Sequence, residues 1–360
     1  MELVKHLKTL CNTPGLSAYE THIREVIAAA WKPLVDKLDG DRLGSLWAIR
    51  NGTKREPRKR IMLAAHMDAI GLMATRVQAG FIGITGIGGI DERIMPGTLV
   101  DVHATGGRAN AKTLPGVIVS IPPHLKQAAD HKKVTPLDKL YVDVGIPPEG
   151  VKRAVQIGDL ITFAQPPTVL KDGMLAASAL DNRASVATLS VCLEALQGRP
   201  HDWDVVAVAT VQEEISYGGA YTSAYGLQPD MAIVVDVTWA RQPGLPEWKT
   251  FKAGDGPTIG WGPNQHPKLH RMLRDLAQEL ELPLQQEFSP RPGGTDSFAI
   301  QVSRTGVPTA DLGLPLKNMH TPVEIVALRD IQRAGRLIAE FIVRLDGESL
   351  DKLALDEEGD

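Results

Sequence analysis

Three predominantly apolar runs constrain the fold of this chain more than any other feature of its sequence. They span residues 61–65, 203–211 and 231–237. Runs of this length and composition are typical of strands buried on both faces of a sheet. Segments with apolar residues at helical spacing lie between and after them, for example at 182–197 and 266–280. This alternation of buried strand and helix predicts an α/β fold.

Residues 70–163 have a different character, because short β-rich pieces alternate there with turn residues and no long amphipathic helix interrupts them. The strand spacing is typical of a small barrel. Within this region the polar, proline-rich segment 122–136 is predicted to be an exposed loop. We therefore predict one discontinuous α/β domain, residues 1–69 and 164–360, interrupted by a β-rich insertion at 70–163.

Two helix starts are predicted from capping signals. Ser17 and Glu20 have the spacing of a capping box before an apolar helical stripe. Near the end of the chain, Thr321, Pro322 and Glu324 match the N-cap, N1 and N3 positions of the last helix.

Composition excludes several classes of protein. Among 360 residues, 43% are hydrophobic, which is enough for a packed core and excludes a disordered chain. The 39 basic and 43 acidic residues give a net charge of −4, which argues against electrostatic binding of nucleic acid. The sequence contains no run of about 18 apolar residues, so no membrane span is predicted. Two cysteines cannot form a disulfide framework, so we expect a reducing, cytoplasmic location.

Polar residues interrupt or end the apolar segments at five places. Buried charge is unfavourable unless it is paired or binds a metal, so each place needs an explanation. The five places are His66-x-Asp68 after the first run, Asp181 before a helix, Glu213-Glu214 after the second run, Asp236 within the third run, and His320 before the last predicted helix.

Each of these residues also has a simpler interpretation when it is considered alone. His66 could be a core histidine, Asp181 an N-cap, and the two glutamates part of a surface turn. Taken together, two imidazoles and three carboxylates suit two divalent ions, with zinc, cobalt or manganese as candidates. Two adjacent glutamates repel each other. If one of them binds a metal and the other is a free general base, that conflict is resolved.

The order of these motifs resembles the M42 family of metallo-aminopeptidases. The resemblance extends from about Thr13-Pro-Gly15 to the last helix, nearly the whole chain. The motifs that carry it are His66-x-Asp68, Ala179-Leu-Asp181-Asn-Arg183, Gln212-Glu213-Glu214, Val235-Asp236-Val-Thr238, Gly294-Thr-Asp296 and His320-Thr-Pro-x-Glu324, with Leu140-Tyr-Val-Asp-Val-Gly145 and Gly158-Asp159 in the insertion.

The resemblance implies a mixed-sheet α/β catalytic domain with an inserted PDZ-like or barrel-like β domain used in dimerisation or oligomerisation. It also implies a homo-oligomer, since members often form dodecameric tetrahedral shells. Carried onto this sequence, Asp181 would bridge two metal ions, with zinc the first candidate. His66 and Asp236 would complete one site, and Glu214 and His320 the other. Asp68 would orient His66.

The implied activity is removal of N-terminal residues from short peptides with a free N-terminus. A metal-bridged water would attack the carbonyl and Glu213 would act as general base. The chain departs from the usual family pattern at Ala69, at Ser216-Tyr217-Gly218 and at Lys317-Asn-Met319, which bears on substrate preference. Two alternatives remain at this point: a related dinuclear-metal deacylase or carboxypeptidase-type amidohydrolase, and a non-catalytic oligomeric scaffold.

Overall fold

A computed structural model describes residues 1–106, 112–125, 133–291 and 293–355 of the chain. Within these residues, eleven strands form one mixed sheet and six form a closed barrel. The sheet contains β1 (Lys37–Gly40), β2 (Leu46–Arg50), β3 (Arg60–His66), β10 (Thr168–Val169), β11 (Met174–Ala177), β12 (Asp204–Thr210), β13 (Met231–Trp239), β14 (Thr258–Trp261), β15 (Gln285–Phe288), β16 (Thr309–Lys317) and β17 (Glu324–Ala327). The barrel contains β4 (Gly71–Gln78), β5 (Phe81–Ile87), β6 (Leu99–Ala104), β7 (Lys112–Val119), β8 (Tyr141–Asp143) and β9 (Leu160–Phe163).

Helices cover both faces of the mixed sheet. The helices of the described part of the chain are α1 (Leu3–Asn12), α2 (Thr21–Trp31), α3 (Pro148–Ala154), α4 (Leu180–Ala195), α5 (Glu213–Ser216), α6 (Gly218–Leu227), α7 (Pro267–Glu279), α8 (Asp296–Gln301) and α9 (Leu328–Arg344). Of these, α3 packs on the core of the barrel instead, through Val151. The apolar sides of α1, α2, α4, α7 and α9 pack on one face, and those of α6 and α8 on the other. No helix in the described part of the chain is long and apolar enough to cross a bilayer.

The centre of the sheet is parallel. β12, β3, β13 and β16 run in the same direction, and antiparallel strands extend the sheet on both sides. Side chains of β3 alternate between the two helical layers, with Leu63 on one face and Met62 on the other, both fully buried. The three apolar runs in the sequence form β3, β12 and β13, so the predicted α/β fold class is confirmed.

The barrel has its own apolar core. Its strands lie between Gly71 and Phe163 and enclose buried residues that include Leu72, Val100 and Ile161. The barrel-like architecture predicted for this part of the chain is therefore confirmed, whereas the exact domain boundaries and the role of the insertion in oligomerisation stay predictions. Of the predicted loop at 122–136, residues 126–132 lie outside the described part of the chain.

Both capping predictions are wrong. Residues Glu324–Ala327 form β17, which pairs with β11 and β16, and α9 begins only at Leu328. Near the N-terminus, α2 begins at Thr21, and the Ser17 hydroxyl donates a hydrogen bond to Asp68 instead of capping a helix. In both places long-range hydrogen bonds and strand pairing outweigh a local signal that contributes about 1 kcal/mol.

Candidate metal centre

The polar residues singled out in the sequence meet at one edge of the sheet. His66 is the last residue of β3 and stands opposite Thr210, the last residue of β12. Because the carboxyl ends of parallel strands lie at the same edge, residues after each strand converge there. The structure brings together all seven predicted site residues: His66, Asp68, Asp181, Glu213, Glu214, Asp236 and His320.

Asp181 lies between the two imidazoles. Its Oδ1 is 3.2 Å from Nε2 of His66, and its Oδ2 is 3.3 Å from Nε2 of His320. On the His66 side, Oδ1 of Asp236 lies 3.7 Å from the same Nε2. On the His320 side, Oε2 of Glu214 lies 3.5 Å from Nε2. The Asp181 carboxylate therefore places one oxygen beside His66 and the other beside His320, and each of these imidazoles also has a second carboxylate close by, that of Asp236 and that of Glu214 respectively.

These donor separations fit divalent metal ions. Ligands bound tetrahedrally at about 2.0–2.2 Å lie roughly 3.3–3.6 Å from one another. Two overlapping donor groups lie within metal-binding distance, His66 with Glu213 and Asp236, and His66 with Asp181 and Glu214. Nitrogen and oxygen donors of this kind suit metals of borderline hardness. Among the described residues that line the surrounding cavity there is no lysine or arginine to neutralise the carboxylates.

Glu213 occupies an ambiguous place in this geometry. Its Oε2 lies 3.8 Å from Nε2 of His66, almost as close as the carboxylate of Asp236. Distance alone therefore permits Glu213 to be either a ligand or a free carboxylate beside the ligands. The assignment of Glu213 as general base and Glu214 as ligand stays a prediction.

Burial and the excess of carboxylates shift the pKa values at this edge. Burial raises the pKa of Glu213 to about 10, and the charges of Asp236 and other carboxylates add to this. Burial and the charge of Asp181 raise the pKa of Glu214 to about 7. Burial disfavours the charged form of Asp181, but hydrogen bonds from His320 and His66 outweigh it and lower the pKa of this carboxyl. Bound cations would favour the ionised carboxylates, because their charge replaces the missing positive groups.

Asp68 connects the two glutamates to His66. It is fully buried, and its carboxylate accepts hydrogen bonds from the backbone N–H groups of Glu213 at 3.1 Å and Glu214 at 3.2 Å. The Ser17 hydroxyl donates to the same carboxylate at 2.6 Å. Nδ1 of His66 lies 3.5 Å from its Oδ1. Asp68 therefore positions the glutamate backbone as well as the imidazole, and only the second contact was expected from the sequence.

Glu324 contacts two of the candidate ligands, although its sequence context predicts a helix start. Its side chain is buried, and Oε2 accepts a hydrogen bond from the backbone N–H of Asp181 at 3.0 Å. Oε1 accepts one from the backbone N–H of His320 at 2.9 Å. Glu324 thus ties together the bridging carboxylate and the second imidazole. Its place in the motif His320-Thr-Pro-x-Glu324, four residues after a candidate ligand, was the signal that could have identified it.

Replacing Glu324 by glutamine is expected to weaken metal binding about 10- to 100-fold, as loss of a partner that orients ligands typically does. A glutamine oxygen can accept only one of the two N–H groups, so either Asp181 or His320 loses its support. Metal affinity measured by competition with a chromogenic chelator tests this. Glu287→Gln is the matched control, since Glu287 is a partly buried glutamate that accepts hydrogen bonds from the hydroxyls of Thr238 and Thr258 rather than from the candidate ligands. Equal metal affinity in both variants would contradict the role of Glu324.

Several residues beside the site hold a left-handed backbone. Ala179, Gln212, Tyr217 and His320 have φ values of 58°, 61°, 55° and 61°. For residues other than glycine such a conformation costs of order 1–3 kcal/mol and persists only where the surrounding structure enforces it. The hydrogen bond from His320 to Glu324 and that from Gln212 N–H to Glu20 are two such constraints. Nothing in the local sequence predicts these conformations.

Two cavities meet at the site. One, of about 300 Å³, is lined by the candidate ligands together with Tyr217, Val237, Gly294 and Met319. Another, of about 480 Å³, lies between this edge and the barrel and also reaches Asp181, Glu214 and His320. The barrel approaches closely, because a Cβ on Gly89 would lie only 2.9 Å from Nδ1 of His320. A side chain at position 89 would displace the imidazole.

Comparisons with known proteins give a consistent result. The profile of the family described as M42 glutamyl aminopeptidase matches residues 44–337. The chain is 33% identical to a lysyl aminopeptidase of Pyrococcus furiosus over 344 residues, which are 94% of this chain and 96% of that protein. The structure of a TET aminopeptidase from a marine sediment archaeon of the Thaumarchaeota superposes with a TM-score of 0.91 at 28% identity, covering 98% of this chain and 99% of the other. The TET1 peptidase of Pyrococcus horikoshii, which can assemble into a tetrahedron or a large octahedral shell, superposes with a TM-score of 0.82 at 30% identity, covering 96% of this chain and 100% of that one.

Proposed function

Because the chain belongs to the M42 family of aminopeptidases, we propose that it removes N-terminal residues from short peptides at a centre of two divalent metal ions. The observation that carries the proposal is the position of Asp181, with one carboxylate oxygen 3.2 Å from His66 and the other 3.3 Å from His320. A shared carboxylate between two sets of donors can hold two ions close together, as a two-metal centre needs.

His66 and Asp236 would hold one ion, Glu214 and His320 the other, and Asp181 both. Zinc is the first candidate for this set of nitrogen and oxygen donors, with cobalt and manganese as alternatives. Divalent ions held there supply Lewis-acid polarisation of the scissile carbonyl and activation of water near neutral pH.

Glu213 would carry the proton during the reaction. As general base it accepts a proton from the attacking water while the new C–O bond forms, and it delivers that proton to the amine when the C–N bond breaks. Its carboxylate lines the cavity beside the ligands. Burial and neighbouring carboxylates raise its pKa, and bound cations would lower it again, which leaves the carboxylate ionised and able to accept the proton. Asp68 would keep both the Glu213 backbone and the His66 imidazole in place.

The same proposal includes a homo-oligomer. The TET1 relative assembles into a tetrahedron or an octahedral shell, and we propose that this chain also associates with copies of itself, up to a tetrahedral dodecamer, partly through the barrel. Sedimentation velocity measures the mass in solution, and a monomer at micromolar concentration would contradict this part of the proposal.

A blocked substrate separates an aminopeptidase from the alternatives. We expect an N-acetylated peptide to be cleaved at least about tenfold more slowly than the same peptide with a free amine, since the amine is part of what an aminopeptidase binds. Chromatographic detection of the products, namely the free or acetylated first amino acid, acetate or the last residue, gives the rate and the bond cleaved for each peptide. Release of acetate from the acetylated peptide would favour a deacylase. Release of the last residue instead would favour a carboxypeptidase-type amidohydrolase, and absence of any hydrolysis a scaffold.

A further inference from the structure

We propose that the part of the peptide following the scissile bond lies in a groove between the main sheet and the barrel, so that the barrel forms part of the substrate-binding surface. This inference rests on the proposed function, because it places the substrate relative to the same metal centre. It assigns the barrel a role in binding peptides that is independent of any role in assembly.

The two cavities at the centre differ in a way that suits the two sides of a scissile bond. The cavity of about 300 Å³ lies at the small end of the range for ligand pockets and lies beside Tyr217 and Met319. It suits the single residue that an aminopeptidase removes. The cavity of about 480 Å³ shares Asp181, Glu214 and His320 with it and extends toward the barrel.

The larger cavity continues beyond the centre. It shares Leu16, His103 and Thr113 with a third cavity of about 690 Å³. The third cavity reaches Tyr19 and Ile157, which are 47% and 74% exposed. Together they form a groove, here called the junction groove, from the metal centre to the protein surface. The remainder of a peptide has no fixed length, so it requires such an open-ended site.

The floor of the junction groove is held rigidly. The buried guanidinium of Arg183 donates hydrogen bonds to the carbonyl oxygens of Thr13 at 3.2 Å and Gly15 at 3.1 Å. The N–H of Ala69 donates to the same Gly15 oxygen at 3.1 Å. A Cβ on Gly15 would lie only 2.4 Å from Cγ2 of Ile23, so the chain packs too closely there for a larger residue. A preformed floor reduces the entropic cost of binding an extended chain.

One wall of the junction groove comes from the barrel. Thr113 on β7 is exposed and stands opposite His103 on β6. Nε2 of His103 is already hydrogen-bonded to the Thr162 hydroxyl at 2.9 Å, which fixes the ring within the wall. At the far end, the exposed side chains of Tyr19 and Ile157 provide apolar surface. This mixture of hydroxyl, imidazole and apolar groups suits a peptide of varied sequence.

A bulky side chain at Thr113 tests the inference. The assay compares an aminoacyl p-nitroanilide, which has no residue after the scissile bond, with a hexapeptide that begins with the same amino acid. In Thr113→Trp we expect kcat/KM for the hexapeptide to fall about tenfold, mainly through KM, while the p-nitroanilide is hydrolysed at an unchanged rate. Thr85→Trp is the matched control, because Thr85 is an exposed threonine on β5 that lies outside all three cavities.

A second variant keeps the inference testable if Thr113→Trp fails to fold. Ile157→Ala shortens an exposed side chain, so it leaves folding intact, and it should lower kcat/KM for the hexapeptide about threefold without changing the p-nitroanilide rate. Unchanged hydrolysis of the hexapeptide in both variants would overturn the inference. So would an equal loss on both substrates, or the same loss in Thr85→Trp. A wild-type protein that hydrolyses neither substrate would instead overturn the proposed function.

Discussion

Replacing Glu213 by glutamine is expected to lower kcat by about 10²- to 10⁴-fold, the usual contribution of a general base. Glutamine has nearly the same shape, but its amide cannot accept and return a proton. The hydrogen bond from the backbone N–H of residue 213 to the Asp68 carboxylate does not involve the side chain of residue 213, so it is retained. The measurements are kcat on an aminoacyl substrate and the metal content of the purified variant by mass spectrometry.

The metal content decides between two roles for Glu213, because its carboxylate lies nearly as close to His66 as that of Asp236 does. If Glu213 is the base, Glu213→Gln should lose turnover while both ions stay bound. If Glu213 is a ligand, the variant should lose turnover together with an ion. Glu287→Gln serves as control for replacing a partly buried glutamate, and we expect it to retain activity, since its partners are the hydroxyls of Thr238 and Thr258. Near-normal kcat in Glu213→Gln would exclude Glu213 as the base.

Removing the metal ions is expected to abolish hydrolysis completely, with recovery on adding zinc, cobalt or manganese. Without cations, the centre holds more buried carboxylates than its two imidazoles neutralise, so the ions should also stabilise the fold. At a free metal concentration of about 100 times Kd, one site contributes about 2.7 kcal/mol to the free energy of unfolding. Dialysis against a chelator, followed by activity assays and thermal melts with and without metal, measures both effects.

Two variants make the metal experiment specific. Asp181→Asn should fail to recover activity at metal concentrations that restore the wild type, because residue 181 stands between both imidazoles. Asp330→Asn alters another buried carboxylate, which accepts hydrogen bonds from backbone N–H groups of Gly254 and Gly256 away from the centre. It should lose stability but recover with metal as the wild type does. Activity that is indifferent to the chelator would contradict a metal-dependent mechanism.

The fold class and the residues that meet at the sheet edge could be predicted from the sequence. The two signals used, apolar runs and the polar residues that interrupt or end them, are both local. The apolar runs that form β3, β12 and β13 are buried on both faces, so apolar residues occupy consecutive positions of each strand rather than every second one. Polar residues that end such strands stand out against this background. The topology of parallel strands then places them at one edge, so seven residues far apart in sequence could be expected to meet.

Other features depended on contacts between distant segments. Glu324 matched a helix N3 position in sequence, yet it lies in β17 and accepts hydrogen bonds from Asp181 and His320. Ser17 matched a helix cap, yet its hydroxyl binds Asp68. In each case a local preference of about 1 kcal/mol competed with burial of a charged or polar group, which costs more if that group has no partner.

The sequence by itself determined the fold class, the two structural regions and the residue types of the candidate metal centre, because hydrophobic periodicity and buried charge act within short stretches of chain. Only the tertiary structure decided that Asp181 stands between two histidines, that Glu324 supports both sides, and that the barrel meets the centre at Gly89. Distances of about 3 Å between residues separated by a hundred positions arise from the packing of whole elements, which no local pattern encodes.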